Sequence, residues 1–383
     1  MKVGDRLQVD ILGIAHGGHC VARHEGQVIF VRHSIPGEKV VVEITDMSSK
    51  FARGDAIEII SASPDRISPR CSYAKPRGCG GCDFQHISLA RQRRLKSEIV
   101  KEQFARIAKM EVAVEVEEVM PTEHWRTRMD FTVSPSRKLA LFGARSHELI
   151  EIDSCQIADS AINIESINSR KLPAGAKVHV AVGTNEDVAI EIEGRDSRVL
   201  VEQEVMSRRF SLAPISFWQS HQGAPSLLTQ AVIQYAGAKP GDHIFDLYGG
   251  VGLFSAALIA KVGVSGRVTL IENDSDAITD ARRNFATEEN VEIVEERVER
   301  ALDRYVRADA VVVDPPRAGL GAKTCAQLVE LSPRTIVYVS CDPASLARDS
   351  RILVDAGYKL DQIRALDLFP MTQHIECVAR FIK

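Results

Sequence analysis

Three apolar runs stop on residues able to do chemistry. TIVYVSCDP (335–343) ends on Cys341, with an aspartate and a proline behind it that turn the chain. DAVVVDPPRAG (309–319) ends on Asp314, and Pro315 and Pro316 stiffen its exit. LDLFPMTQHIECVARFIK (366–383) sets His374 and Glu376 at the head of the last run. A thiol at such a turn can serve as a nucleophile, and a carboxylate set into an apolar run can serve as a base. The plainer alternatives are packing for the thiol and a surface position for the carboxylate, since most free cysteines fill space. Cys325, in the helical KTCAQLVEL, and Cys377, within the last run, are read in that plainer way.

A fourth strand end carries glycines. HIFDLYGGVGLFSAALIAKV (243–262) sets Asp246, Gly249, Gly250 and Gly252 between a strand and a helix, where backbone can approach a ligand and helix N–H groups are free. Glu272 closes the next strand, GRVTLIEND, at a distance suited to holding both hydroxyls of a ribose. The pattern is D-x-Y-G-G-x-G rather than the dinucleotide G-x-G-x-x-G, which favours S-adenosylmethionine over NAD. Ligands of open α/β sheets bind outside the carboxyl ends of the strands. Several such ends converging on one crevice make a packing role for Cys341 harder to sustain.

Cys71, Cys79 and Cys82 fall in a Gly/Pro-rich loop with spacing C-x7-C-x2-C, and Cys155 follows in LIEIDSCQIAD. A polar loop offers no core to fill, and four thiolates suit either a tetrahedral zinc or a [4Fe–4S] cluster; spacing alone leaves both open. Eight cysteines in 383 residues and no signal-peptide pattern at the start place the chain in the cytoplasm, where disulfides are disfavoured. The net charge of −4 argues against a nucleic-acid partner, but its distribution does not: residues 61–110 hold eleven Lys/Arg against four Asp/Glu, including RQRRLK at 91–96.

The elements that must position these groups fall into three blocks. Period-two alternation with Gly-rich turns over residues 3–60 predicts about five strands and a small OB-like barrel. Helical periodicity over 88–110 follows the cysteine loop, and strand-like alternation resumes over 112–205. Apolar strands then alternate with helical stretches, which implies βαβ units and a parallel sheet. The expected fold is multidomain α+β and α/β: a barrel at 1–62, a central β-rich domain at 63–208 with helix 88–110 packing on the next domain, and a Rossmann-like domain at 209–383. No apolar run reaches the roughly 20 residues of a membrane span, so no membrane partner is expected.

Taken in order, SPDRISPRCSY, CGGCDFQH, FWQ (217–219), DLYGGVG, IEND, DPPRAG, VYVSCDP and HIEC resemble the RNA uracil-C5 (5-methyluridine) methyltransferase family, in its branch with an N-terminal TRAM barrel and an iron–sulfur cluster. The likeness spans nearly the whole chain. It implies that Cys341 adds to C6 of uracil, that C5 then takes the methyl group of S-adenosylmethionine, and that Glu376 removes the C5 proton. It implies cofactor or base contacts from Gln219, Tyr248, Gly250, Glu272 and Asp314, and a [4Fe–4S] cluster rather than zinc on Cys71, Cys79, Cys82 and Cys155, acting as a fold staple. The expected partner is a structured RNA, with 23S ribosomal RNA favoured and transfer RNA the other choice, bound through the barrel and the basic 61–110 segment by a protein expected to be monomeric. The sequence departs from the family pattern in the x7 spacing, in SHQ after Gln219 and in LFS after the glycines. Rival readings are methylation of another base atom, and a non-catalytic iron–sulfur RNA-binding protein.

Overall fold

The period-two runs at the start of the chain become six strands, one more than expected, in the computed structural model, which describes residues 1–195 and 199–383. The additional one is the two-residue Gly13–Ile14, paired with Val21 and Cys20. The ladder runs Arg6–Asp10, Lys39–Met47, Phe51–Ser61, Gln27–Arg32, Cys20–His24, Gly13–Ile14. Register shifts between Lys39–Met47 and Phe51–Ser61 bend these two long strands, which lets so few residues curl around one core. Alternate residues such as Val40, Val42 and Ile44 point into it with Ile29 and Val31.

The central block is a five-stranded antiparallel sheet in the order Leu149–Glu151, Leu139–Phe142, Arg128–Val133, Lys177–Val182, Val188–Ile192. Its buried face carries Met129, Phe131, Val133, Val178 and Val180. A separate hairpin, Val201–Val205 with Arg208–Leu212, leads onward.

The last block is an eight-stranded sheet in the order Val291–Glu295, Arg267–Glu272, His243–Leu247, Ala310–Val313, Thr335–Ser340, Glu376–Ile382, Lys359–Asp367, Val116–Glu118. The first five are mutually parallel and Glu376–Ile382 is antiparallel to its neighbours. Helices cover both faces, which explains why the central strands read as unbroken apolar runs. One edge comes from far upstream: Val116–Glu118 pairs in parallel with Ala365–Asp367. Helix Leu89–Gln103, followed by a wider turn at Phe104–Ala108, buries Ile99, Val100 and Phe104 in the same core as Phe245, Tyr338 and Phe381. Lys96 on that helix is completely buried and donates to Asp367 Oδ1 (2.6 Å) and the Phe369 carbonyl (3.0 Å). Losing either partner strands the other charge in the core, a cost of about 3–5 kcal/mol.

Candidate active site

The parallel strands deliver their ends to one edge. Val313 lies beside Leu247 and Tyr338, so Asp314 and Tyr248 emerge together, and the Asp314 N–H donates to the Leu247 carbonyl (3.2 Å). Ser340 pairs with Cys377 in the antiparallel ladder. The ladder ends at that pair, and Cys341 and Glu376 are the next residue on each strand, near enough for the Glu376 charge to act on the thiol. Thiol and carboxylate thus come from strands running in opposite directions and meet at the same sheet edge.

Glu376 is 3% exposed, and burial followed by the charge of Asp314 lifts its pKa well above the usual carboxylate range. Asp314 is pushed up to about 7 by burial, then by Asp246 and Glu272. Cys341 is pushed up to about 12 by burial, then by Glu376 and Asp314, with Arg317 pulling the other way. A nucleophilic thiol needs neighbours that favour the thiolate. Here burial and the carboxylates outweigh the Arg317 guanidinium, so the thiol holds its proton. His374 is pushed down to about 4 by burial and by Arg317, Lys96 and Arg126, so its ring is neutral and its Nε2 lies 3.3 Å from Arg317 Nη2. Cys341, Arg317, Gln373 and His374 border a cavity of about 130 Å³ that His16 and Gly17 of the barrel also line.

The glycine loop is built to take a ligand. Glu272 Oε2 accepts from the Gly250 N–H (3.1 Å), and its Oε1 from Asn273 (2.6 Å) and Asp274 (2.9 Å), which fixes the carboxylate beside the loop. Gly250 has φ +54° and open space where a Cβ would stand. Gly252 has φ +94°, and a Cβ there would meet Phe285 at 2.2 Å, so the helix Leu253–Val262 can begin only with glycine at that point. Asp246 Oδ2 accepts from the Ser255 N–H (2.8 Å) and Oγ (2.6 Å), while its buried Oδ1 has no protein partner. These features fit an adenosine ribose and a cationic neighbour. Gln219 donates to Asp314 Oδ2 at 3.5 Å from a loop whose Ala213, Pro214 and Ser216 carbonyls all accept from the buried Arg128 Nη1. Gln219, Gly250, Glu272, Asp314, Cys341 and Glu376 are thus linked pairwise along one edge of the sheet, and Tyr248 opens the glycine loop beside Asp314. Sequence reasoning missed Arg317, whose only signal was its place directly after the proline pair, and His16, which had none.

The four cysteines of the central block also come together. Cys71, Cys79, Cys82 and Cys155 line a single cavity of about 230 Å³ with Arg126 at its wall. Among the described residues no three His, Cys, Asp or Glu side chains stand close enough to hold a metal ion. A lone tetrahedral zinc draws its sulfurs within about 4 Å of one another. A cuboidal iron–sulfur cluster is likewise held by four cysteine thiolates, so the donor set suits either group and the cavity brings the four thiols to one place. N–H donors already point at sulfur: Gly81 to Cys79 Sγ (3.4 Å) and the Gln85 side chain to Cys82 Sγ (3.6 Å).

The basic segment behaves differently from expectation. Arg66 pairs with Glu38, Arg91 with Glu98, Arg93 with Glu118, Arg94 with Asp65, Lys101 with Glu115, and Lys96 is sealed in the core. These cations tie the helix to the barrel and the sheet, and few remain to meet phosphates. The sequence displayed the surplus but not the pairing, because the partners other than Glu98 lie 14 to 271 residues away.

Comparison with known proteins converges on this layout. A family model described as TRAM domain matches residues 1–57, and one described as tRNA (Uracil-5-)-methyltransferase matches residues 198–383. An uncharacterized RNA methyltransferase of Streptomyces avermitilis is 40% identical over 98% of both chains, and one of Bifidobacterium longum is 32% identical over 99% of this chain and 97% of its own. The crystal structure of Pyrococcus abyssi tRNA (uracil-54, C5)-methyltransferase in complex with S-adenosyl-L-homocysteine superposes with TM-score 0.74 at 25% identity, covering 98% of this chain and all of that one.

Proposed function

The chain belongs to the RNA methyltransferases of the uracil-5 family, S-adenosylmethionine-dependent enzymes here carrying an N-terminal TRAM domain, and from that premise we propose that it methylates C5 of a uridine in structured RNA through Cys341 and Glu376. The observation that carries this reading is that Cys341 and Glu376 follow directly on the last pair of the antiparallel ladder, Ser340 with Cys377, and that the charges of Glu376 and Asp314 both act on the thiol. C5 of uracil is a poor nucleophile. Cys341, once ionised, forms a bond to C6, and the displaced ring electrons make C5 an enolate carbon. S-adenosylmethionine, when bound, supplies an electrophilic methyl group on a sulfonium. Glu376 then takes the proton from the methylated C5, the C6–S bond breaks, and Cys341 leaves as thiolate. Arg317 is a nearby cation that favours that thiolate. Gly250 and Glu272 would hold the adenosine, Tyr248 would border it, and Asp314 with Gln219 would face the sulfonium and the uracil ring. The target base must leave its stack to reach this edge, which costs a few kcal/mol.

Asp314 gives the cofactor site a pH signature. Its carboxyl titrates near 7 in the free protein, and a neighbouring cation favours the ionised form. S-adenosylmethionine affinity should therefore rise as pH goes from 5 to 7.5 and level off above, with proton release on binding. S-adenosylhomocysteine, which lacks the positive charge, should show a flatter profile, and so should Asp314→Asn. Calorimetry in buffers of different ionisation enthalpy measures both; equal slopes for the two ligands would remove Asp314 from the sulfonium.

The four-cysteine cavity, in this reading, holds a [4Fe–4S] cluster that staples the central block to the catalytic one. Cys82 and Cys155 pack in one group with Met371, five residues before Glu376. Work in the cytoplasm fits a family that acts on RNA, and no helix among the described residues is long and apolar enough to cross a membrane. The site reads uracil and not the RNA around it: the sequence leans to 23S ribosomal RNA, while the structural neighbour acts on transfer RNA. Nucleoside mass analysis of both RNA classes, from cells with and without the gene, decides. Loss of 5-methyluridine from one class names the substrate. No loss from either, or loss of another methylated nucleoside, rejects the reading.

A further inference from the structure

The barrel reaches into the catalytic crevice. His16 Nε2 lies 2.8 Å from Asp342 Oδ2, and Asp342 is the residue after Cys341. The other oxygen of Asp342 accepts from the Ser345 N–H at 2.8 Å and so caps the helix Pro343–Asp355. Both oxygens of the residue next to the thiol are thus engaged, one by its own helix and one by a separate part of the chain. The barrel turn is itself fixed, with Ala15 N–H donating to the His19 carbonyl (2.8 Å) and Gly18 N–H to the Ala15 carbonyl (3.1 Å). Gly18, at φ +72°, lies so close to the approach to Glu376 that a Cβ there would stand 2.5 Å from Cβ of Gln373. One turn of the barrel therefore touches both the segment carrying the thiol and the segment carrying the carboxylate.

We propose that His16 is a positioning residue of the methyl-transfer site, holding the Cys341 turn toward Glu376 through Asp342, an inference that rests on Cys341 being the nucleophile. The TRAM barrel is then a structural part of the active site as well as an RNA-binding module. Side chains of His16 and Asp342 are 37% and 19% exposed, so their bond contributes little to global stability. Its effect is on geometry, where a displacement of about 1 Å at the reacting atoms costs on the order of 100-fold in rate.

The test measures covalent adduct formation on RNA carrying 5-fluorouridine, whose C5 offers no proton to remove, with S-adenosylmethionine present and RNA saturating. His16→Ala should slow adduct formation by about 10- to 100-fold, leave the half-saturating RNA concentration unchanged, and leave thermal unfolding unchanged. His16→Gln, whose amide nitrogen can reach Asp342, should restore most of the rate. In an Asp342→Ala background, His16→Ala should have no further effect, because the two act through one bond. A wild-type rate in His16→Ala, effects that multiply in the double variant, no rescue by glutamine, or a change confined to RNA affinity each overturns the proposal. Should His16→Ala unfold, His16→Asn, too short to reach Asp342, takes its place. Adduct persisting in Cys341→Ser would instead sink the underlying assignment of the nucleophile.

Discussion

Glu376→Gln should leave the protein covalently attached to its natural, unfluorinated RNA substrate after methyl transfer. With the thiol intact, addition to C6 and methylation of C5 proceed, but nothing then removes the C5 proton and the C6–S bond stays closed. A methylated protein–RNA complex accumulates, and turnover falls by about 10²- to 10⁴-fold, the usual weight of a general base. Glu376 suits that task because burial and Asp314 raise its pKa, making its carboxylate a stronger base than an exposed one. Glutamine keeps the size of the side chain at a position that is 3% exposed, so the strand Glu376–Ile382 has no reason to repack. Denaturing gels with and without S-adenosylmethionine read the result: the slow band should appear only with the cofactor. Turnover within tenfold of the native enzyme would assign the proton to another group.

Cys341→Ser should abolish methylation, with a loss on the order of 10⁴-fold or more, since removing a nucleophile removes the covalent route. A hydroxyl holds its proton far more tightly than even a thiol pushed up to about 12, and the Arg317 guanidinium that opposes this is outweighed by burial and carboxylates. The other free thiols of this domain offer no substitute, because Cys325 and Cys377 are fully buried in the core behind the sheet edge. RNA and cofactor binding should persist in the variant, which separates loss of chemistry from loss of fold.

The candidate site's place at the strand ends was legible in the sequence: an unbroken apolar run that stops on Asp314 or Cys341 marks both the buried strand and its exit. Glu272 and the glycine turn were readable for the same reason, as each sits at a fixed offset within a βα unit. Packing roles for Cys325 and Cys377 followed from the runs around them, and both are buried. What escaped is long-range. The arginines of RQRRLK looked free because Glu118 and Asp65, their partners, lie outside the run, and the partner of Lys96 is 271 residues away. His16 sits in a Gly-rich turn with no periodicity, and its contact with Asp342 exists only once the barrel has docked. The sixth strand of the barrel is two residues long, too short for alternation to register.

The most direct test is to incubate the protein with S-adenosylmethionine and an RNA containing 5-fluorouridine, digest the trapped complex, and locate the modified peptide by mass. A fluoropyrimidine bearing one added methyl group, attached through sulfur within TIVYVSCDP at position 341, is the predicted result. Attachment at any other residue, or an undiminished adduct when position 341 is serine, would contradict it.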